Sequence, residues 1–210
     1  MSSPPFSIAI LIFDDVEVMD FAGPMEVFNV AAELQANPKP PFRVFTVAET
    51  NAPVKAKGNL VVHPNFSIYN MPQDYVELLI VPGGSGTRKI IAEKPHLIDW
   101  LSGQSQKVSR IASVCTGSHL LTEAGLLDSC DKVTTHHTCV DELEAMLSAR
   151  PNNSVRIVQN KRFVDQGRIL TSAGIAAGID MSLYLVYKLF GKEEARATAK
   201  EMEYDWNLPV

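Results

Sequence analysis

Cysteine is scarce and unpatterned in this chain, which excludes a disulfide scaffold and a cysteine-rich metal module. Cys115, Cys130 and Cys139 are the only three among 210 residues. No two of them form a CxxC motif, and an odd number leaves at least one thiol unpaired, as suits a reducing compartment. His136 and His137 lie close to Cys139, but adjacent histidines point different ways on any regular element, so no metal site is expected. Positive charge is also short: 19 Lys and Arg against 24 Asp and Glu give a net charge of −5. Without a basic footprint, nucleic acid is not expected as a direct partner. No apolar run is long enough to cross a bilayer, and Met1 to Pro5 lacks the charged start and apolar stretch of a signal peptide. No membrane partner and a cytoplasmic location are therefore expected. Nucleotide cradles of the GxGxxG or GxxxxGK[ST] type are missing. So are internal repeats, low-complexity tracts and linkers, which leaves a single domain over residues 1–210. The sequence ends at Val210 without a following helix-turn-helix segment, so a transcriptional role is not expected.

What is present is the composition of a folded globular domain, with 46% hydrophobic and 20% charged residues. Ser7 to Phe13 is a short continuous apolar run closed by Asp14-Asp15, the pattern of a strand buried on both faces of a parallel sheet. Gly23-Pro24 then breaks the chain, and Met25 to Leu34 recovers a helical period, with Pro24 suited to a first helical turn. The alternation continues with strands at Phe42 to Val47, Leu60 to His63, Tyr75 to Val81 and Lys107 to Val114. Helices are expected near Lys89 to Ala92, Pro95 to Ser102, Thr116 to Ala124 and Val140 to Ser148. Short strands at Val155 to Val158, Arg162 to Asp165 and Arg168 to Thr171 suggest a hairpin, followed by helices over Gly174 to Phe190 and Glu193 to Tyr204. Strands alternating with helices predict an α/β fold with a doubly wound parallel sheet.

Three segments carry chemistry. Ile111 to Cys115 runs straight into Thr116-Gly117-Ser118 and a helical pattern, so Cys115 occupies a strand-to-helix corner like a nucleophile elbow, with Gly117 supplying backbone freedom. A thiol at a helix start faces unpaired N–H groups, which favours the thiolate and predicts an unusually nucleophilic cysteine. Cys130 and Cys139 lack this context and read as structural. Pro82-Gly83-Gly84-Ser85-Gly86, after another buried strand, can turn backbone donors toward a developing negative charge. Asp20, among apolar residues before a helix, either caps that helix or, buried near the thiol, stays protonated and passes a proton.

Together Val18-Met-Asp-Phe-Ala-Gly-Pro24, Val81-Pro-Gly-Gly84 and Ala112-Ser-Val-Cys-Thr-Gly117 resemble the DJ-1/PfpI superfamily over nearly the whole chain. Leu121 to Leu127, Thr134-Thr-His136 and Thr171 to Asp180 are more similar to its isocyanide hydratase branch and to the sensor domains of AraC-type regulators. The resemblance implies a flavodoxin-like sheet with helices on both faces, related to class I glutamine amidotransferases, and a homodimer. It implies Cys115 as nucleophile, Asp20 as its acidic partner and Thr116 as a substrate-positioning residue. Gly83, Gly84, Gly117 and His136 are implied as oxyanion or substrate contacts. A histidine follows the nucleophile in PfpI-type proteases, whereas Thr116 stands here, which argues against peptidase chemistry. His119 packs or meets solvent on this reading, and His136 or His137 faces the pocket.

The activity these readings imply is a lyase-type hydration of an isocyanide to an N-formamide through a Cys115 thioimidate, with a small-molecule substrate and no metal or organic cofactor. A glyoxalase-like reaction and a non-enzymatic small-molecule or redox sensor use the same cysteine and stay open as alternatives. Phe21 and Val114, beside the motifs, suggest an apolar pocket.

Overall fold

The computed structural model describes residues 6–35, 42–72, 76–151 and 154–207, without the side chain of Phe42. In chain order the elements are β1 (Phe6–Leu11), α1 (Val18–Leu34), β2 (Phe42–Ala48), β3 (Val54–Lys55), β4 (Val61–Val62), β5 (Phe66–Ser67), β6 (Val76–Val81), α2 (Gly86–Glu93) and α3 (Pro95–Ser105). There follow β7 (Arg110–Val114), α4 (Gly117–Glu123), β8 (Lys132–Val133), α5 (Val140–Ser148), β9 (Arg156–Ile157), β10 (Phe163–Asp165), β11 (Ile169–Ser172), α6 (Ala177–Phe190) and α7 (Lys192–Glu201). Tyr75, expected to begin the β6 strand, lies outside the described residues.

Among the described residues the main sheet has seven strands in the order β10-β11-β7-β6-β1-β2-β5. Every pairing is parallel except that of the edge strand β10 with β11. The continuous apolar runs are explained by this arrangement. Ile8, Ile10, Leu78 and Ile80 sit in central strands covered on both faces and are fully or almost fully buried. One helical layer groups α1, α6 and α7, and the other groups α2, α3, α4 and α5. The chain leaves β1 for β2 on one side and returns to place β6 on the other. The crevice beyond the carboxyl ends of β1 and β6 is therefore a topological switch point, where open α/β sheets collect their functional loops.

Two expectations are corrected here. The first helix begins at Val18, not after Gly23-Pro24, and Pro24 stands inside it. Pro24 cannot donate to the carbonyl four residues back, yet the first turn persists because Asp20 in that turn is held by amides of two other loops. Asp20 is thus an interior residue of the helix, and its end carries no side-chain cap. The Leu60 to His63 strand is not part of the main sheet; β4 pairs with β3 in a separate antiparallel ribbon. The C-terminal hairpin forms as β10 against β11.

Gly117 also has a different reason from the one read in the sequence. The left-handed backbone at the β7–α4 corner belongs to Cys115 (φ 56°), not to Gly117. A Cβ on Gly117 would fall on the carbonyl oxygen of Val81 at the end of β6. Glycine is needed there because α4 starts in contact with the neighbouring strand. Gly117→Ala is accordingly expected to destabilise the fold by about 3 kcal/mol or more through this backbone clash, read as a drop in the urea midpoint.

Candidate functional site

The site is assembled from four chain segments, each following the carboxyl end of a parallel strand. Cys115 is pinned in its strained conformation from both sides. Its N–H is shared between the carbonyls of Ser172 and Ala173, each at 3.2 Å. Its own carbonyl accepts from Ser118 Oγ at 3.1 Å and Thr135 Oγ1 at 3.0 Å. A non-glycine residue in this region is costly, and such a network is what holds it there. The result is a thiol at the corner of the chain that is only 8% exposed.

Asp20 comes to this thiol from α1. It is fully buried, with Oδ2 accepting the Gly83 amide at 3.0 Å and Oδ1 the Ile175 amide at 3.2 Å. Ile175 donates from another left-handed conformation, φ 56°. The carboxyl and the Cys115 side chain meet across the Gly83 loop, which touches both, and each acts on the other's ionisation. Burial, reinforced by the nearby Glu17 carboxylate, pushes Asp20 up to about 7 despite the two amides, which act the other way.

The thiol responds in the opposite sense to the expected one. Burial and the charge of Asp20 push Cys115 up to about 12, outweighing the Thr116 amide that favours the thiolate. A short helix start does not compensate for removing a thiolate from water beside a carboxylate. The two groups therefore behave as one unit that binds and releases protons jointly.

Thr116 binds the second glycine of the Pro82–Gly86 loop. Its Oγ1 accepts the Gly84 amide at 3.0 Å, and its hydroxyl points to the Gly84 carbonyl at 3.2 Å. The amides of Gly83 and Gly84 are thus engaged with Asp20 and Thr116 in this state. A Cβ on Gly83 would stand 2.7 Å from Thr116 Oγ1 and 2.9 Å from Cys115 Cβ, so the loops meet only because it is glycine.

His136 stands on the far flank, its ring over Gly174, with Nδ1 2.8 Å from Thr138 Oγ1. Burial and the neighbouring His137 pull it below the usual imidazole range. It borders a cavity of about 460 Å³ shared with Thr135, His137, Lys161, Ala173 and Gly174. Thr135 and Ala173 connect that cavity to the Cys115 backbone. Phe21 and Val114, the residues expected beside the pocket, are buried in the core and do not line this cavity. His119 is fully buried, its Nδ1 3.8 Å from Glu142 Oε1. Cys130 is buried and Cys139 half-buried, and all three thiols are free. Among the described residues no cluster of His, Cys, Asp or Glu is placed to hold a metal ion, and no helix is long and apolar enough to cross a membrane.

Two contributions went unread in the sequence. Ile175 lies in a segment noticed only as part of a motif, and the Glu17–Lys57 ion pair, 2.6 Å, joins residues 40 positions apart.

Comparison with known proteins gives a consistent set of relatives. The sequence model of the DJ-1/PfpI family matches residues 6–188. The chain is 31% identical over 197 residues to isonitrile hydratase of Pseudomonas putida, covering 94% of this chain and 78% of that protein. It is 30% identical over 203 residues to the HTH-type transcriptional regulator GbdR of Pseudomonas aeruginosa, covering 96% of this chain but 51% of the regulator, about half its length. The structure superposes on a THiJ/PfpI family protein from Pseudomonas syringae with a TM-score of 0.81 and 27% identity, over 99% of this chain and 78% of the other.

Because Asp20 is raised from 3.8 to about 7 on folding, the folded state keeps its proton through a range where the unfolded chain has lost it. Stability is therefore expected to fall as pH rises from about 4 to about 7, by at most about 4 kcal/mol. Urea denaturation across this range should show the slope in the wild type and its loss in Asp20→Asn.

Proposed function

The chain belongs to the DJ-1/PfpI family, and from that premise we propose that it is a Cys115-dependent hydratase converting a small isocyanide to an N-formamide. The observation that carries this reading is the Asp20 carboxyl set against the Cys115 thiol at the strand-to-helix corner. It occurs in a chain 31% identical to an isonitrile hydratase.

A buried thiol raised to about 12 beside a carboxyl raised to about 7 favours a shuttle over a standing thiolate. In the first step the ionised Asp20 takes the thiol proton as sulfur bonds to the terminal isocyanide carbon. Asp20 then passes that proton to the same carbon, which leaves a neutral thioimidate and restores the carboxylate. Water next adds across the C=N bond, its oxygen to carbon and a proton to nitrogen. Collapse of the adduct breaks the C–S bond, and Asp20 carries the hydroxyl proton to the departing sulfur, releasing the N-formamide. The sum is one isocyanide plus one water, without oxidant, metal or organic cofactor. Thr116 positions the substrate or water, and Gly83, Gly84 and Gly117 shape the floor where charge develops. His136 contacts substrate from the cavity side. The working form on this proposal is a cytoplasmic homodimer acting on a small molecule, with neither nucleic acid nor membrane as partner.

The similarity to half of a transcriptional regulator favours a second reading, in which the same site senses a small molecule or oxidant without turnover. Formamide production from an alkyl or aryl isocyanide by the reduced protein separates the two. Turnover should rise with pH through an apparent pKa near 7, vanish in Cys115→Ala and fall at least about a hundredfold in Asp20→Asn. Absence of turnover by protein whose Cys115 is demonstrably reduced would sink the hydratase reading. Lactate formed from methylglyoxal would then favour the glyoxalase reading, and oxidation of Cys115 by peroxide the sensor.

A further inference from the structure

Glu17 and Lys57 form an ion pair on the solvent side of the buried acid and thiol, and neither backbone is free to wander. Glu17 immediately precedes α1, and its N–H donates to the Gly83 carbonyl at 2.9 Å. The N–H of that same Gly83 donates to Asp20 Oδ2 at 3.0 Å. One residue of the β6 loop thus clamps both Glu17 and Asp20, while the Asp20 N–H donates to the Glu17 carbonyl at 3.1 Å. Three residues apart on a helical start, the two carboxylates lie on neighbouring positions of one face.

Lys57 arrives from the β3–β4 ribbon. Its N–H donates to the Val16 carbonyl at 3.0 Å, and the Asp15 N–H donates to the Lys55 carbonyl at 2.8 Å. The ribbon is therefore stitched to the segment that leads into α1. The ion pair closes at 2.6 Å, with the Glu17 side chain 18% exposed and that of Lys57 61% exposed. An exposed pair on two loose side chains stabilises a fold very little. Here both main chains are fixed, and the pair stands where its charges are felt by the groups beneath it. Glu17 acts on Asp20 and on His136, and Lys57 acts on Cys115, Asp20 and His136.

We infer that Glu17 and Lys57 are positioning residues for the reacting pair. Together they set one negative and one positive charge against the Asp20–Cys115 unit, and their balance decides how readily that unit gives up its proton. The inference rests on the assignment of Asp20 and Cys115 as the reacting pair, but not on the identity of the electrophile. The groups that act on the unit include Glu17 just before α1, the Gly83 and Ile175 amides at Asp20, the Thr116 amide and Cys139 at Cys115, and Lys57 from the ribbon. Removing Glu17's charge leaves the lysine uncompensated and favours the anionic form of the unit. Removing Lys57's charge leaves the glutamate uncompensated and favours the protonated form.

The two substitutions should consequently act in opposite directions, which loss of a structural contact would not do. The test is the pH dependence of Cys115 alkylation by iodoacetamide, followed peptide by peptide by mass spectrometry, with the buried Cys130 as internal reference. Glu17→Gln should move the Cys115 midpoint down by about 0.5 pH unit or more, and Lys57→Met should move it up by a similar amount. The double variant should return to within about 0.3 unit of the wild type, and Lys57→Arg should keep the wild-type midpoint. Urea midpoints on the same samples check that each variant is folded. Shifts of the same sign in both single variants, or no shift in folded protein, overturn the inference. Isocyanide turnover measured in parallel keeps the two proposals apart. Opposite shifts without wild-type turnover would remove the hydratase reading alone, and turnover without shifts would remove this one alone.

Discussion

The contact on which the rest of the site depends is that between two acids kept out of water, the Asp20 carboxyl and the Cys115 thiol. Neither is comfortable as an anion there, and the charge of either makes the other harder to ionise. Such a pair is stable only if it holds at least one proton and if the surrounding backbone fixes its geometry. Both conditions are met with main-chain groups. The Gly83 and Ile175 amides hold the carboxyl, and the Ser172 and Ala173 carbonyls hold the thiol-bearing residue. Donors and acceptors from the backbone move less than side chains, so proton transfer between the two groups needs little reorganisation.

The fold delivers these groups by a simple geometric rule. β1, β6, β7 and β11 run in one direction, so the loops after all four emerge at one edge of the sheet. The loop after β1 leads into the head of α1, which supplies Asp20, and the loops after β6, β7 and β11 contribute Gly83, Cys115 and Ile175. Glycine at 83 lets the β6 loop touch the corner, and glycine at 117 lets α4 start against β6. Pro24 within α1 is tolerated because the helix start is fastened by tertiary hydrogen bonds and does not rely on its own. Local preference gives way there to the geometry of the site.

The corner itself was legible because its signals are local: an apolar strand, a cysteine, small residues and then a helical period. Asp20 was legible as a buried carboxyl among apolar neighbours, but its place in the helix was misread because Pro24 looked like a beginning. The direction of the thiol's response was not legible, since helix position is written in the sequence whereas burial and a carboxylate arriving from 95 residues away are consequences of packing. The lining of the cavity beside His136 was hidden for a similar reason. Phe21 and Val114 are near the motifs in sequence yet turn into the core. Glu17 and Lys57 carry no motif, and their pairing exists only once the β3–β4 ribbon has folded back on the head of α1.

The hydrogen bond from the Ile175 amide to Asp20 spans 155 positions of the chain. A ribosome makes the first of these residues long before the last, so a chain grown past Cys115 carries both the carboxyl and the thiol before the clasp that aligns them exists. Loop closure over such a span comes late in the search for the native topology. Alignment of the Asp20–Cys115 pair is thereby tied to docking of β11, and a chain stopped between Cys115 and Ile175 holds both side chains without the Ile175 amide that orders the carboxyl.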